Sequence, residues 1–195
     1  FLQVKDFIIH RLTNVFATDF SLVSLCMFLD IRRKKWAEEI LESIGLSPDR
    51  LPEVYPSTDI IGEVTEEATN STGLKNGTPV IVGGHDQCCA CVGTGVIYNG
   101  LALDSTGTAY AMICPSEKPI IDPNKRLICY CHSVPKYWVV LGQLLSAGIL
   151  LRWFRDNFCT AEIDEARRLM VDPYEVLIKD AEKISVGSDG LIVLP

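Results

Sequence analysis

The stretch VIVGGHDQCCACVGTGV, residues 80–96, constrains the fold more than any other part of the chain. Its apolar start follows the turn residues Asn76 and Gly77, which predicts a buried strand over 79–82. Two glycines end the strand, and the run over 86–92 predicts a helix. The polar residues between these elements can form a metal site, present a catalytic carboxylate, or only connect a strand to a helix.

Composition and charge argue against a nucleic-acid partner. The chain has 195 residues, a net charge of −7 and a pI near 5.0. A nucleic-acid surface needs a basic patch, so we expect no nucleic-acid partner. The one dense basic run, residues 32–35, is predicted to open a helix and to form a solvated face, because Glu38 and Glu39 follow it.

The sequence contains no pattern typical of membrane insertion or secretion. No apolar run reaches the ~18 residues that span a bilayer, and the first residues do not form a signal peptide. We therefore expect no membrane partner, a cytoplasmic location, and eight cysteines that are mostly buried and reduced. The chain begins with Phe1 rather than Met, so we expect a piece of a larger protein that lacks both ends.

The predicted elements change along the chain. Residues 1–85 are predicted to be mostly helical and residues 100–145 mostly β, which places a domain boundary near 86–100. The predicted helices are residues 1–12, KKWAEEILESIGL, TEEATNSTGL, SAGILLRWFRDNF and DPYEVLIKDAEKI, and the predicted strands lie in GLALDSTGTAYAMICP, RLICYCHSV, YWVVLGQL and the final LIVLP.

Cysteines after the double glycine allow a zinc hypothesis. Zinc takes four ligands in a tetrahedron, and residues 129–132 add further donors to those of 85–91. A helix would place His85, Cys88 and Cys89 on one broad face, with Cys91 pointing away. No second CxxC follows, so we favour small thiols packed in a helix and expect no metal ligands here.

The segment LDSTGTAY, residues 103–110, predicts a strand that ends in a tight turn. Glycine in such a turn lets the backbone approach a ligand, and the neighbouring hydroxyls and N–H groups can surround phosphate oxygens. Taken alone, the pattern is also that of a plain hairpin. Asp86, at the end of a strand, adds a carboxylate, and the two together are what phosphoryl transfer to an alcohol requires.

Four segments together resemble one family. KDFIIHRLTNVFATDFS, LPEVYPSTDIIGEVTEEATNSTGLKNGTPVIVGGHDQ, LDSTGT and LLSAGILLRWFRD are similar, in order and spacing, to the FGGY carbohydrate kinases. The resemblance runs from about residue 5 to residue 195. It implies an α/β, actin-like (ribonuclease H-like) ATPase fold, with parts of two domains around a cleft.

The resemblance also implies roles for particular residues. Asp86 matches the catalytic base and Gln87 a position that touches the sugar or polyol substrate. The turn of Thr106, Gly107 and Thr108 matches the one that meets the phosphates of ATP, whose cofactor is Mg²⁺. Gly148 matches the glycine at the head of a helix beside the nucleotide. Asp19 matches a common family residue, which we expect to brace a turn.

The same resemblance assigns 1–90 to the end of the sugar-binding domain and 91–195 to the start of the ATP-binding domain. The opening phosphate loop, the early sugar-binding residues and the late adenine site have no counterpart in the chain, so we expect the 195 residues alone to be inactive. Xylulose is the first substrate hypothesis, with glycerol, gluconate and erythritol open, and a homodimer is the candidate assembly. The alternative function is a non-catalytic module that binds nucleotide or sugar.

Overall fold

The computed structural model describes residues 1–193. They form two compact units. The first contains residues 1–104 and 112–142, and the second contains residues 105–111 and those from 143 onward. None of the helices in the described part of the chain is long and apolar enough to cross a bilayer. The predicted domain boundary near residue 90 stays a prediction.

The first unit begins with helix α1, Val4–Thr13, followed by strand β1, Ala17–Asp19. Helix α1 ends where Asn14 adopts a left-handed conformation and donates its N–H to the carbonyl of His10. Such a residue commonly closes a helix. The apolar face of α1 packs in a cluster whose buried members are Ile9, Ala17 and Val82.

Two further strands lie between residues 51 and 64. Strand β4, Glu53–Tyr55, pairs in parallel with β1, and β5, Ile60–Glu63, pairs antiparallel with β6, Pro79–Ile81. Ala17 of β1 and Val82, which follows β6, belong to one buried cluster. The helix α4, Glu66–Thr72, lies between β5 and β6 in sequence and begins after Thr65, whose hydroxyl accepts the Ala68 N–H.

The prediction that residues 32–35 open a helix is wrong. After α2, Phe20–Val23, residues 29–36 form a hairpin of β2, Leu29–Asp30, and β3, Lys35–Trp36. The Asp30 carboxylate accepts the N–H groups of Arg32 and Arg33, which stabilises the turn. Helix α3 is therefore only Glu38–Ser43.

The predicted strands after residue 100 form a four-stranded sheet in the order β7-β8-β10-β9. Strands β9 and β10 are antiparallel, with Tyr130 opposite Val139, and both of these residues are fully buried. The helix α5, Asp86–Gly93, precedes the sheet, as predicted. The bounds of the sheet strands are Leu103–Thr106, Tyr110–Ser116, Ile128–Cys131 and Trp138–Leu144 for β7, β8, β9 and β10.

The second unit contains three helices: α6, Gly148–Phe158; α7, Thr160–Leu169; and α8, Pro173–Ala181. Helix α7 was not predicted, although Ile163, Ala166 and Leu169 recur with helical spacing between its charged residues. The predicted last strand is wrong for residues 191–193, which form no regular element and are largely exposed. The remainder of that prediction, Leu194 and Pro195, lies outside the described residues.

Candidate functional site

Two glycines shape the connection between β6 and α5. Gly83 has a φ of +68°, a conformation that side chains with a Cβ rarely adopt. At Gly84, an added Cβ would lie 2.1 Å from the Ser133 Oγ and 3.2 Å from the Ser21 Oγ. The close approach explains why the strand ends on two glycines before the polar residues begin.

Asp86 occupies the first position of α5, and its side chain is 81% exposed. Its Oδ1 accepts the Gln87 N–H at 2.7 Å and lies 3.0 Å from the His85 Nε2. A carboxylate is favourable at a helix N-terminus, where the N–H groups carry partial positive charge. The structure therefore presents an oriented, accessible carboxylate at the predicted position of the base.

The side chain and the backbone of His85 make separate contacts. Its Nε2 contacts the Asp86 carboxylate, while its backbone N–H is donated to the Ser21 hydroxyl at 2.8 Å. The ring packs edge-on against Tyr130, with centroids 5.8 Å apart. His85 is thus held from two sides and orients its neighbour.

Gln87 follows directly and is half-buried. Its Oε1 is buried without a hydrogen-bond partner in the described part of the chain. A buried amide oxygen that stays unpaired has a free-energy cost. The Gln87 amide oxygen is covered, and a ligand would reach it only if the side chain turned outward.

The cysteines of α5 do not form a metal site. Cys88 and Cys91 are both fully buried on one face, and Cys89 is exposed. The prediction that Cys91 points away from Cys88 is wrong, because residues three apart on a helix are neighbours. Burial raises the pKa of the Cys88 thiol to about 12 and that of Cys91 to about 11. Residues 1–193 hold no group of His, Cys, Asp and Glu that could bind a metal ion.

The second unit contains the predicted phosphate turn, at the ends of β7 and β8. The Gly107 N–H is donated to the Ala109 carbonyl at 2.9 Å, which closes the turn. The Gly107 and Thr108 carbonyls accept the N–H groups of Gly148 and Ala147, at 2.9 and 3.0 Å. The turn is thereby hydrogen-bonded to the N-terminus of α6. The sequence pattern did not predict this contact.

Gly148 is required by this contact. A Cβ at Gly148 would lie 2.6 Å from the Gly107 carbonyl oxygen. At Gly107 an added Cβ would meet only the Ala109 oxygen, at 3.8 Å, so one side of this exposed turn is open. Thr106 lies at the end of β7, next to the turn.

The N–H groups of Gly107, Ala147 and Gly148 are donated to carbonyls of the turn itself, so the phosphate role of this turn stays a prediction. Mg²⁺ usually binds one or two carboxylates together with phosphate oxygens. The described residues gather no set of three acidic, His or Cys side chains for it. A magnesium ion at this turn would therefore depend on the phosphates for most of its ligands.

Asp19 braces a turn, as expected, because its carboxylate accepts the Ser21 N–H at the start of α2. The sequence prediction missed the partners that surround this carboxylate. The Asp19 carboxylate is fully buried and pairs with the Lys5 ammonium at 2.8 Å. It also accepts the Ser57 hydroxyl at 2.7 Å and both the N–H and the hydroxyl of Ser21. Lysine and serine at these positions carry no sequence signal of their own.

The chain is similar in sequence to known kinases. Residues 1–93 match the N-terminal domain of the FGGY family of carbohydrate kinases. A gluconokinase of Bacillus subtilis (strain 168) is 34% identical over 195 residues, which is 100% of this chain and 38% of that protein. An autoinducer-2 kinase of Yersinia enterocolitica is 33% identical over 190 residues, or 97% of this chain and 36% of the relative.

Solved structures agree in fold. The xylulose kinase of Rhodospirillum rubrum matches with a TM-score of 0.85 and 27% identity, over 97% of this chain and 37% of the other. The gluconate kinase of Lactobacillus acidophilus matches with a TM-score of 0.86 and 24% identity, over 98% and 37%. The predicted actin-like α/β fold is thus confirmed. The chain spans little more than a third of the length of these relatives. Residues 1–93 are thus similar to the N-terminal domain of the FGGY carbohydrate kinases, and all 195 residues align with part of a gluconokinase.

Proposed function

We propose that a full-length protein carrying this chain transfers the γ-phosphoryl group of ATP to a hydroxyl of a small sugar, polyol or sugar acid. The observation that carries the proposal is the exposed Asp86 carboxylate, fixed at the start of α5. The relatives that are named gluconokinase and autoinducer-2 kinase support the reaction class.

In this reaction Asp86 is the general base. Its two close contacts, from the Gln87 N–H and the His85 Nε2, both use Oδ1. Oδ2 is left to accept the proton of the substrate hydroxyl as that oxygen attacks phosphorus. Gln87, the next residue, is the proposed contact to the substrate, and its buried Oε1 becomes available when the side chain turns outward.

The turn of Thr106, Gly107 and Thr108 and the helix that begins at Gly148 hold the phosphates of ATP. The bonds from Gly148 and Ala147 hold the turn beside the start of α6, where the remaining N–H groups and the helix dipole favour an anion. Mg²⁺, when bound, supplies positive charge to the phosphate oxygens. In this proposal residues 1–90 contribute to sugar binding and residues 91–195 to ATP binding.

The substrate is also a proposal. Xylulose, favoured by the sequence, stays a prediction, and the gluconokinase relatives give gluconate equal weight. A cytoplasmic location and a homodimer stay predictions as well. We expect the 195 residues alone to have no turnover.

The test is an ADP-release assay on the full-length protein with gluconate, xylulose, glycerol and erythritol. We expect one of them to stimulate ADP release, and Asp86→Ala to lower kcat by about 10²–10⁴-fold, the usual contribution of a general base. The matched control is Glu39→Ala, which removes another exposed carboxylate from the first turn of a helix. No sugar dependence, or an unaffected Asp86→Ala variant, would favour the non-catalytic binding module.

A further inference from the structure

Asp19 lies at the centre of a buried polar cluster that ends at the base. The carboxylate is fully buried, and its Oδ1 pairs with the Lys5 ammonium. Its Oδ2 accepts three bonds, one from the Ser57 hydroxyl and two from Ser21. Every one of these donors belongs to the same compact unit.

Two members of the cluster, Lys5 and Ser21, also form hydrogen bonds with the segment before Asp86. The Lys5 ammonium also donates to the carbonyls of Val82 and Gly83, at 3.1 and 3.4 Å. The Ser21 hydroxyl, which gives its proton to Asp19, accepts the His85 N–H at 2.8 Å. Residues 82, 83 and 85 are therefore each bonded to a group that Asp19 orients.

We propose that Asp19 is a positioning residue for Asp86, acting through the Lys5 ammonium and the Ser21 hydroxyl. The inference rests on the proposed function, since it takes Asp86 as the base. Asp19 itself is fully buried and touches neither substrate nor nucleotide. Its effect is on geometry, because a shift of about 1 Å in a reacting group can cost up to 10²-fold in rate.

The chain offers a matched pair of serines to test this. Ser21 and Ser57 each donate a hydroxyl to the same Asp19 oxygen. Only the Ser21 hydroxyl also accepts the His85 N–H. Ser57 contacts the segment through its backbone carbonyl, which accepts the Gly83 N–H and is retained in alanine. Ser21→Ala therefore cuts the connection to the base, and Ser57→Ala does not.

The experiment compares Ser21→Ala, Ser57→Ala and wild type in the full-length protein. We expect Ser21→Ala to lower kcat about tenfold or more, with the KM values for sugar and ATP nearly unchanged. Ser57→Ala should lower kcat by less than about threefold, at a similar loss of thermal stability. A merely structural role would lower stability in both variants without this difference in kcat.

Amide hydrogen exchange provides a readout that does not need activity. We expect the peptide containing residues 83–87 to exchange faster in Ser21→Ala than in Ser57→Ala, because the His85 N–H loses its acceptor. Equal exchange in the two variants, or equal kcat, would overturn the inference. If Asp86→Ala kept full activity, the proposed function would fail instead, and the exchange data would still decide whether Asp19 and Ser21 hold this segment.

Discussion

The segment before Asp86 and the turn at 105–108 are built in opposite ways. The first is held by buried side chains that come from distant parts of the chain, with Ser21 and His85 64 residues apart. The second is held by backbone bonds between an exposed turn and the start of α6, a helix with no buried residues among those described.

The difference matches what each region has to do in the proposed reaction. A general base must point at one hydroxyl, so its backbone benefits from fixed side-chain contacts behind it. A phosphate group needs N–H donors and room for close approach, which small residues and a helix N-terminus provide. Substitutions at Asp19, Gly148 and Gly107 therefore separate side-chain support in the first region from backbone support in the second.

The largest effect is expected at Asp19. Asp19→Ala leaves the Lys5 ammonium without its buried partner, and we expect the free energy of unfolding to fall by about 3–5 kcal/mol. Urea unfolding can follow the first unit by the fluorescence of Trp36 and Trp138, with Trp153→Phe as the background.

The matched control for this variant is Glu67→Ala, which breaks the exposed pair with Arg11. Exposed pairs contribute little, so its unfolding midpoint should stay close to that of wild type. Equal midpoints for Asp19→Ala and Glu67→Ala would show that the buried ion pair does not stabilise the first unit.

A smaller effect is expected at the phosphate turn, from Gly148→Ala. The new Cβ would lie 2.6 Å from the Gly107 carbonyl, so the turn and α6 must separate. Overpacking of this kind costs about 1–3 kcal/mol, and a tenfold change corresponds to about 1.4 kcal/mol. We therefore expect the KM for ATP to rise about tenfold while the KM for the sugar is unchanged.

Gly107→Ala tests ligand approach separately from packing. Its Cβ would make only an ordinary 3.8 Å contact, so we expect no change in thermal stability. A raised KM for ATP would then come from the bound phosphate and not from the fold. An unchanged KM for ATP in Gly107→Ala would identify the turn as a plain hairpin.

The smallest effect concerns the thiols of α5. The buried Cys88 and Cys91 have raised pKa values, about 12 and 11, so they stay protonated as the pH rises from about 8 to about 10. We expect iodoacetamide to modify the exposed Cys89 first, with little effect on stability. Mass spectrometry of the labelled peptide measures this order. Early labelling of Cys88 would mean that α5 opens readily and does not hold Asp86 rigidly.

Local patterns were enough to predict much of this structure. The strand before the double glycine, helix α5 and the turn at 105–108 each follow from residues that are adjacent in sequence. The hairpin over 29–36 was missed because its turn depends on the Asp30 carboxylate, which overrides the helical spacing of the residues that follow. Pattern alone could not give the pairing of β1 with β4 either, since their partners are separated by 36 residues of chain.

The sequence by itself pointed to the family, to Asp86 as the candidate base and to the small residues of the predicted phosphate turn, because those features are carried by short motifs. Only the tertiary structure decided what holds the base in place. Lys5, Ser21 and Ser57 have no distinctive spacing. Asp19, which the sequence marked only as the brace of a turn, gains its further partners when the fold excludes water from the space they share. A buried charge must be paired and hydrogen-bonded, and that requirement acts on neighbours in space, which the order of residues does not reveal.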